Sequence, residues 1–303
     1  MTGVEDIERV GVVGYGLMGS GIAEVCARAG MSVNVVELDA DALSRGRRQA
    51  EASLRRAVAT KKLSEDAAEA AWARLDFGTD YHALADRQLV VEAIVESEPE
   101  KVHAFEMIDK VVETPDALLA SNTSSIPIMK LAMATQRPEQ VLGIHFFYPV
   151  PVLPLVELVS SLLTSAQTMD LAETFANKLL SKHVVRSQDR AGFIVNALLV
   201  PYLLSAIRML ESGFATAEDI DTGMVKGCAH PMGPLALCDL IGLDTINAVA
   251  GSLYEEFKEP LYAPPPLLAR MVDAGLLGKK SGRGFYDYGL SESRRQEREE
   301  RTA

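Results

Sequence analysis

Short apolar runs and longer mixed stretches alternate over the first 190 residues. Val10-Gly11-Val12-Val13 predicts a buried strand, and 17–28 predicts a helix that stops at Gly30. A strand at 32–36 follows, then a helix at 41–59, a turn bearing Lys61-Lys62 and a helix at 64–73, where Ser64-Glu65-Asp66-Ala67 reads as a helix start. This helix pair is longer than a minimal crossover and reads as an insertion. Next come a buried strand at 89–95, a helix from Pro99 to Glu113, a strand at 118–120 and a helix at 126–134. Strands at 141–147 and 155–159 are joined by the proline-rich Tyr148-Pro149-Val150-Pro151, and a helix at 166–182 and a short strand at 184–185 end this half. Alternation of this kind predicts an α/β fold: a doubly wound, mostly parallel sheet covered on both faces.

From Gly192 the strand patterns vanish. Helical runs cover 193–212, 217–226 and 243–257, and Pro201 is expected to kink the first of them. The predicted boundary lies near Asp189-Arg190-Ala191. It separates a dinucleotide-binding domain, 1–190, with a helical-pair insertion, from a smaller all-helical domain, 191–303. Rich in apolar residues, the second domain is expected to supply a homodimer interface as well as a core.

The turn after the first strand reads Gly14-Tyr15-Gly16-Leu17-Met18-Gly19. Strand, glycine-rich turn and helix in that order form the Rossmann dinucleotide fingerprint. Gly14 allows the tight turn, Gly16 lets a pyrophosphate approach bare backbone, and Gly19 lets the helix pack close. The N–H groups at the helix start, those of Leu17 and Met18 among them, are expected to hold the phosphates. Glu37 ends the second strand, eighteen residues after Gly19, where an acid grips the adenine ribose hydroxyls. A carboxylate there repels a 2′-phosphate, so NAD is expected rather than NADP. Arg45, Arg47 and Arg48 read as the solvated face of the next helix.

Composition narrows the classes. The chain has 303 residues, 48% hydrophobic and 24% charged, enough for two domains with a large core. A net charge of −12 counts against nucleic acid or an anionic membrane surface as a partner. Cys26, Cys228 and Cys238 lack metal or redox spacing and read as reduced core residues of a cytoplasmic protein. No apolar run reaches membrane length without a charge or breaker, and the acidic start, Met1 to Arg9, reads as neither signal nor transit peptide. The charged tail, Glu292 to Arg301, reads as a solvated helix end.

Ligands of open α/β sheets bind beyond the carboxyl ends of the strands. Ser121-Asn122-Thr123-Ser124-Ser125 follows one strand, and His145 lies near the end of another. Glu157 interrupts the apolar Leu155-Val156-Glu157-Leu158-Val159, and a carboxylate so buried needs a partner. A Glu–His pair fixes the imidazole tautomer and suits a general base, which hydride transfer from an alcohol requires. On spacing alone, His145 fits a hydrogen-bonded core histidine equally well.

Further stretches fall in a telling order: Ala120-Ser121-Asn122-Thr123-Ser124-Ser125, His145-Phe146-Phe147, Pro149-Val150-Pro151 with Leu155-Val156-Glu157, and Gly192-Phe193-Ile194-Val195-Asn196. Tyr202 to Ile207, Asp219-Ile220-Asp221, Pro231-Met232-Gly233-Pro234, Gly242-Leu243-Asp244 and Gly278-Lys279-Lys280-Ser281-Gly282-Arg283-Gly284-Phe285-Tyr286 follow. Together they resemble the short monofunctional L-3-hydroxyacyl-CoA dehydrogenases, including bacterial 3-hydroxybutyryl-CoA dehydrogenases, from about Arg9 to Tyr288.

The resemblance implies reversible NAD-dependent oxidation of an L-3-hydroxyacyl-CoA, 3-hydroxybutyryl-CoA foremost, in fatty-acid or related lipid metabolism. It implies that His145 is the base, that Glu157 orients it, and that Ser124 and Asn196 bind the reacting oxygen. Ser124 also fits an N-cap and Asn196 a packing amide. It further implies that Glu37, Glu96, Lys101, Asn122, Ser124 and Lys280 contact the cofactor, and that Arg56, Lys61 and Lys62 receive CoA phosphates. Those three cations equally fit a solvated face. Closure of the helical domain is expected to exclude water. Tyr148 stands where many members have Asn, which bears on acyl-chain preference. The rival readings are a dehydrogenase of a free hydroxy acid and a non-catalytic NAD-binding protein.

Overall fold

The structure, a computed structural model, describes residues 7–289. The tail reading at Glu292–Arg301 and most of the acidic start lie outside the described residues. The chain divides after Phe193 into two compact units. Ala191, Gly192 and Phe193 thus stay with the first unit, because the Phe193 ring is buried in its core.

The first unit holds an eight-stranded sheet: β1 (Arg9–Val13), β2 (Ser32–Val36), β3 (Leu75–Gly78), β4 (Leu89–Glu92), β5 (Leu118–Ser121), β6 (Val141–Phe146), β7 (Leu155–Ser160) and β8 (His183–Gln188). Their order is β3-β2-β1-β4-β5-β6-β7-β8, and the first six are parallel. β7 runs antiparallel to β6, and β8 runs parallel to β7. The reversal has a simple cause. The connection from Phe146 to Leu155 is too short for a crossover helix, so the chain can only turn back. The chain reaches one edge through β2 and β3 and returns to β4, so the order switches between β1 and β4.

Period-two alternation divides the sheet into two cores. Val10, Val12, Val33, Val35, Leu118, Ala120, Leu142, Ile144, Val156 and Leu158 pack with α1 (Leu17–Arg28) and α6 (Ala166–Thr174). Val13, Val90, Leu119, Val141 and Val159 pack with α4 (Glu98–Val111) and α5 (Ile128–Ala132). The helical pair is α2 (Ala40–Ala59) and α3 (Glu65–Trp72), and Ser64 caps α3 by accepting from the Ala67 N–H.

Several sequence expectations need correction. β3 was not predicted: it is a four-residue edge strand carrying Asp76 and Gly78. The predicted strand at 89–95 ends at Glu92, where the Glu92 carboxylate accepts the Ile94 N–H and turns the chain away. The predicted helix at 166–182 is α only to Thr174, then takes a π-helical turn over 175–179 and stops before Ser181, whose φ is +54°. β8 is longer than the predicted 184–185, because all its residues from His183 to Gln188 are in register with β7. Arg47 is exposed, yet its guanidinium lies 4.7 Å from the Phe77 ring centre and 5.8 Å from that of Trp72. Cys26 and Cys238 are core residues, but Cys228 is exposed at the end of a helix.

The second unit contains α7 (Val195–Glu211), α8 (Ala217–Gly227), α9 (Pro234–Ile241), α10 (Leu243–Phe257) and α11 (Pro266–Asp273). α7 is assigned as one helix through Pro201. The eight-residue α9 and α11 were not predicted, being too short for their periodicity to show. Asp221 holds α9 by accepting from the N–H groups of Leu235 and Ala236. Asp239 accepts from the N–H groups of Phe285 and Tyr286, fastening the segment after Gly278 to the helical core. No single helix among the described residues is long and apolar enough to cross a membrane.

Candidate active site

Gly14 has φ +90°, and its N–H donates to the Val36 carbonyl at 2.8 Å. A Cβ on Gly19 would lie 1.8 Å from the Gly14 carbonyl oxygen, so only glycine lets α1 start this close to the strand. Gly16 differs: a Cβ there would meet nothing within 4 Å. It is the N-cap of α1 and supplies no side-chain cap, which leaves the helix start to an incoming anion. Glu37 ends β2. Its Oε2 accepts from the Tyr15 N–H at 2.6 Å and its Oε1 from the Leu38 N–H at 2.7 Å. These bonds hold the acid against the glycine turn. Open space at Gly16, an uncapped helix start and a fixed acid are the features that a dinucleotide requires.

Beyond β4 and β5 lies a group of polar side chains. Glu92 is fully buried, and its Oε1 accepts from Lys101 Nζ at 2.6 Å while its Oε2 accepts from Ser121 Oγ at 2.6 Å. Lys101, only 1% exposed, also lies 3.4 Å from Glu96 Oε2. Glu96 Oε1 accepts from Thr123 Oγ1 at 2.6 Å, the Ser124 N–H at 3.0 Å, the Ser125 N–H at 3.1 Å and Ser125 Oγ at 2.9 Å. Burial pushes the Glu96 carboxyl up, but Lys101 and these donors outweigh it and hold the group below the usual carboxylate range. Asn122 Oδ1 accepts from the Phe146 N–H at 2.9 Å, tying the same loop to β6. Ser124 is not an N-cap: α5 begins after Pro127, and its Ile128 and Met129 N–H groups donate to Asp189.

His145 and Glu157 face each other across the antiparallel β6–β7 pair. His145 Nδ1 lies 2.8 Å from Glu157 Oε2, and both side chains are buried. An ionised Glu157 can only accept, so Nδ1 carries the proton and Nε2 holds the lone pair. The Phe147 and Phe193 rings stand 4.6 and 5.5 Å from the imidazole, centre to centre. An oriented imidazole with a free lone pair, at the end of a sheet that carries a dinucleotide cradle, can take a hydroxyl proton during hydride transfer.

The model of the 3-hydroxyacyl-CoA dehydrogenase NAD-binding domain matches residues 9–190, and that of the 3-hydroxyacyl-CoA dehydrogenase C-terminal domain matches 192–288. The chain belongs to the 3-hydroxyacyl-CoA dehydrogenase family. This dehydrogenase is 60% identical over 282 residues to a 3-hydroxybutyryl-CoA dehydrogenase of Mycobacterium tuberculosis, covering 93% of this chain and 99% of that one. It is 42% identical over 290 residues to the human mitochondrial hydroxyacyl-coenzyme A dehydrogenase, covering 93% and 91%. Among solved structures, it is similar to the (S)-3-hydroxybutyryl-CoA dehydrogenase PaaH1 from Ralstonia eutropha, with 44% identity, a TM-score of 0.88 and coverage of 94% and 100%. NAD is its cofactor, and oxidation of a 3-hydroxyacyl-CoA is its reaction class.

The other sequence-predicted residues of the dehydrogenase are spread over both units. Asn196 is half-buried in the first turn of α7. Lys280 lies on a short 3-10 turn at 279–281 and pairs with Asp244. Arg56, Lys61 and Lys62 are exposed at the end of α2 and in the turn that follows it. Sequence reasoning missed Glu92, Ser121 and Thr123 as a linked group. A signal for Glu92 was available: it interrupts an apolar strand just as Glu157 does.

Proposed function

We propose that this enzyme oxidises short L-3-hydroxyacyl-CoA substrates, 3-hydroxybutyryl-CoA foremost, with His145 as the general base. The carrying observation is the 2.8 Å contact of His145 Nδ1 with the buried Glu157 carboxylate. That contact leaves Nε2 to accept the C3 hydroxyl proton, and Glu157 stabilises the imidazolium that results. Ser124 hydrogen-bonds the same oxygen as the carbonyl forms, and Asn196 of the second unit is assigned to it as well. NAD, when bound, supplies the hydride acceptor. Glu37 holds its adenosine ribose, the glycine turn with the Leu17 and Met18 N–H groups holds its phosphates, and Glu96, Asn122 and Lys280 serve its nicotinamide end. Lys101 is buried beneath Glu96 and acts through it.

Arg56, Lys61 and Lys62 are assigned to the CoA phosphates, in support of an acyl-CoA over a free hydroxy acid. Exposed apolar residues on the second unit, Leu198, Phe214 and Leu240 among them, support a homodimer. Two of the three free cysteines are buried, and burial pushes the Cys26 thiol up to about 12, which suits a reduced cytoplasmic setting.

The test is NADH oxidation by the purified protein with acetoacetyl-CoA, run beside arms with NADPH and with free acetoacetate. Rapid NADH loss with the CoA ester alone is expected. Equal turnover of free acetoacetate would overturn the acyl-CoA reading. No turnover of acetoacetyl-CoA or of longer 3-oxoacyl-CoAs, with NADH still bound, would favour a non-catalytic NAD-binding protein.

A further inference from the structure

Glu92 is a second fully buried carboxylate at this end of the sheet, and the proton route through His145 does not use it. It is the last residue of β4, beside Val13 of β1 and Ser121 of β5. That is the switch point, where a dinucleotide crosses an open sheet. A bare carboxylate there would repel the cofactor phosphates, so its charge has to be balanced. Lys101 Nζ does so at 2.6 Å.

The contacts of Glu92 close into a ring. Oε2 accepts from Ser121 Oγ at 2.6 Å, and Ser121 Oγ accepts from the Thr123 N–H at 3.1 Å. Thr123 Oγ1 donates to Glu96 Oε1 at 2.6 Å, and Glu96 Oε2 lies 3.4 Å from Lys101 Nζ, which returns to Glu92. Two further bonds pin the ring to the backbone: Ile94 N–H to Glu92 Oε1 at 2.7 Å, and Asn122 N–H to the Glu92 carbonyl at 2.8 Å. Ser124 hangs on it through its N–H to Glu96 Oε1 at 3.0 Å. An apolar side chain could fill the position of Glu92 without desolvation cost. It could not join α4, the β4–α4 loop and the end of β5 in one unit. Such a network, with each donor satisfied, rigidifies what it encloses.

We propose that Glu92 is a positioning residue for this reaction: it anchors the closed ring Glu92–Ser121–Thr123–Glu96–Lys101, which fixes Glu96 and Ser124 for the cofactor and the reacting oxygen. The proposal rests on the reading above that Ser124 and Glu96 face the reacting centre. Small displacements at such a centre cost rate steeply.

The experiment compares Glu92→Gln, Ser121→Ala and Ser124→Ala in the full chain. Activity is expressed per NADH-binding site, so that any unfolded fraction drops out. For Glu92→Gln we expect kcat to fall about tenfold and the Kd for NADH to rise about fivefold, with KM for acetoacetyl-CoA within about twofold. Ser121→Ala breaks the other arm of the ring, leaves the ion pair intact, and should shift the same quantities in the same directions by about threefold. It decides the matter if Glu92→Gln does not fold. If kcat per site and the Kd for NADH stay within about twofold of wild type in the deciding variant, Glu92 is merely structural and the proposal falls. Ser124→Ala separates the two readings. If it loses activity while the ring variants do not, the site stands and the positioning role fails. If it too is silent, the assignment of this loop to the reacting centre fails.

Discussion

His145 and Glu157 are twelve residues apart in sequence and directly opposed in register across β6 and β7, with Nδ1 2.8 Å from Oε2. The short β6–β7 connection creates this pairing, and the pairing leaves the Nε2 lone pair for the proposed role of general base. Replacing His145 with Gln should lower kcat by about 10³-fold, within the range for loss of a general base, and leave NADH binding intact. Glu157→Gln should cost less, about 10²-fold in kcat, with KM for acetoacetyl-CoA little changed. Steady-state NADH oxidation beside fluorescence titration of NADH checks both. Activity close to wild type in His145→Gln would remove the general-base assignment.

Gly16 and Gly19 should respond in opposite ways to alanine. At Gly19 the new Cβ would lie 1.8 Å from a backbone oxygen, so Gly19→Ala should fold poorly. At Gly16 the Cβ meets only open space and the backbone φ is −71°, so Gly16→Ala should keep its thermal midpoint and lose NADH affinity. Thermal unfolding and NADH titration of the two variants distinguish packing from ligand approach.

On the proposed assignment of Glu37 to the adenosine ribose, Glu37→Ala removes a charged partner of the ribose and the repulsion toward a 2′-phosphate. A hydrogen bond to a charged group is worth about 1.5–3 kcal/mol, so NADH affinity should fall about 10- to 100-fold. The NADH-to-NADPH preference should narrow with it. Parallel titrations with both coenzymes give the ratio, and an unchanged ratio would show that selectivity lies elsewhere.

Lys101 and the loop donors hold Glu96 below its ordinary value of 4.5, despite its burial. A carboxyl depressed in the folded state contributes stability that is fully present above its unfolded pKa and lost as the pH falls through the folded one. The difference in thermal midpoint between wild type and Glu96→Gln should therefore be level above pH about 4.5 and shrink below it. A difference that instead widens with acid would contradict the sign of the shift.

The Tyr15 hydroxyl is buried and has no hydrogen-bond partner among the described residues, while its ring packs tilted against that of Phe77, 5.3 Å centre to centre. Tyr15→Phe keeps the ring and removes the orphan donor. Urea unfolding should show stability unchanged or raised by about 1 kcal/mol. A clear loss would reveal a partner for that hydroxyl.

Much of this was legible in the chain. The glycine turn, β1, α1, β2 and Glu37 carry local signals: an apolar run, glycines at fixed spacing, and an acid at a strand end. Those signals needed no long-range partner. Glu157 was legible because a carboxylate inside an apolar strand demands one. β3, α9 and α11 were not, since segments of four to eight residues are too short for periodicity to separate strand, helix and loop. β8 was read as two residues, because its exposed polar positions conceal a strand that exists through pairing with β7.

By itself the sequence determined the class of fold, the dinucleotide turn and the residue types of the site, because these depend on local patterning and backbone freedom. Only the tertiary structure decided which of those residues meet. Register set His145 against Glu157, and the parallel pairing of β4 with β5 brought Glu92 beside Ser121. Burial then forced Lys101 inward to balance two carboxylates. Strand pairing and desolvation act between residues far apart in the chain, and no local window contains them.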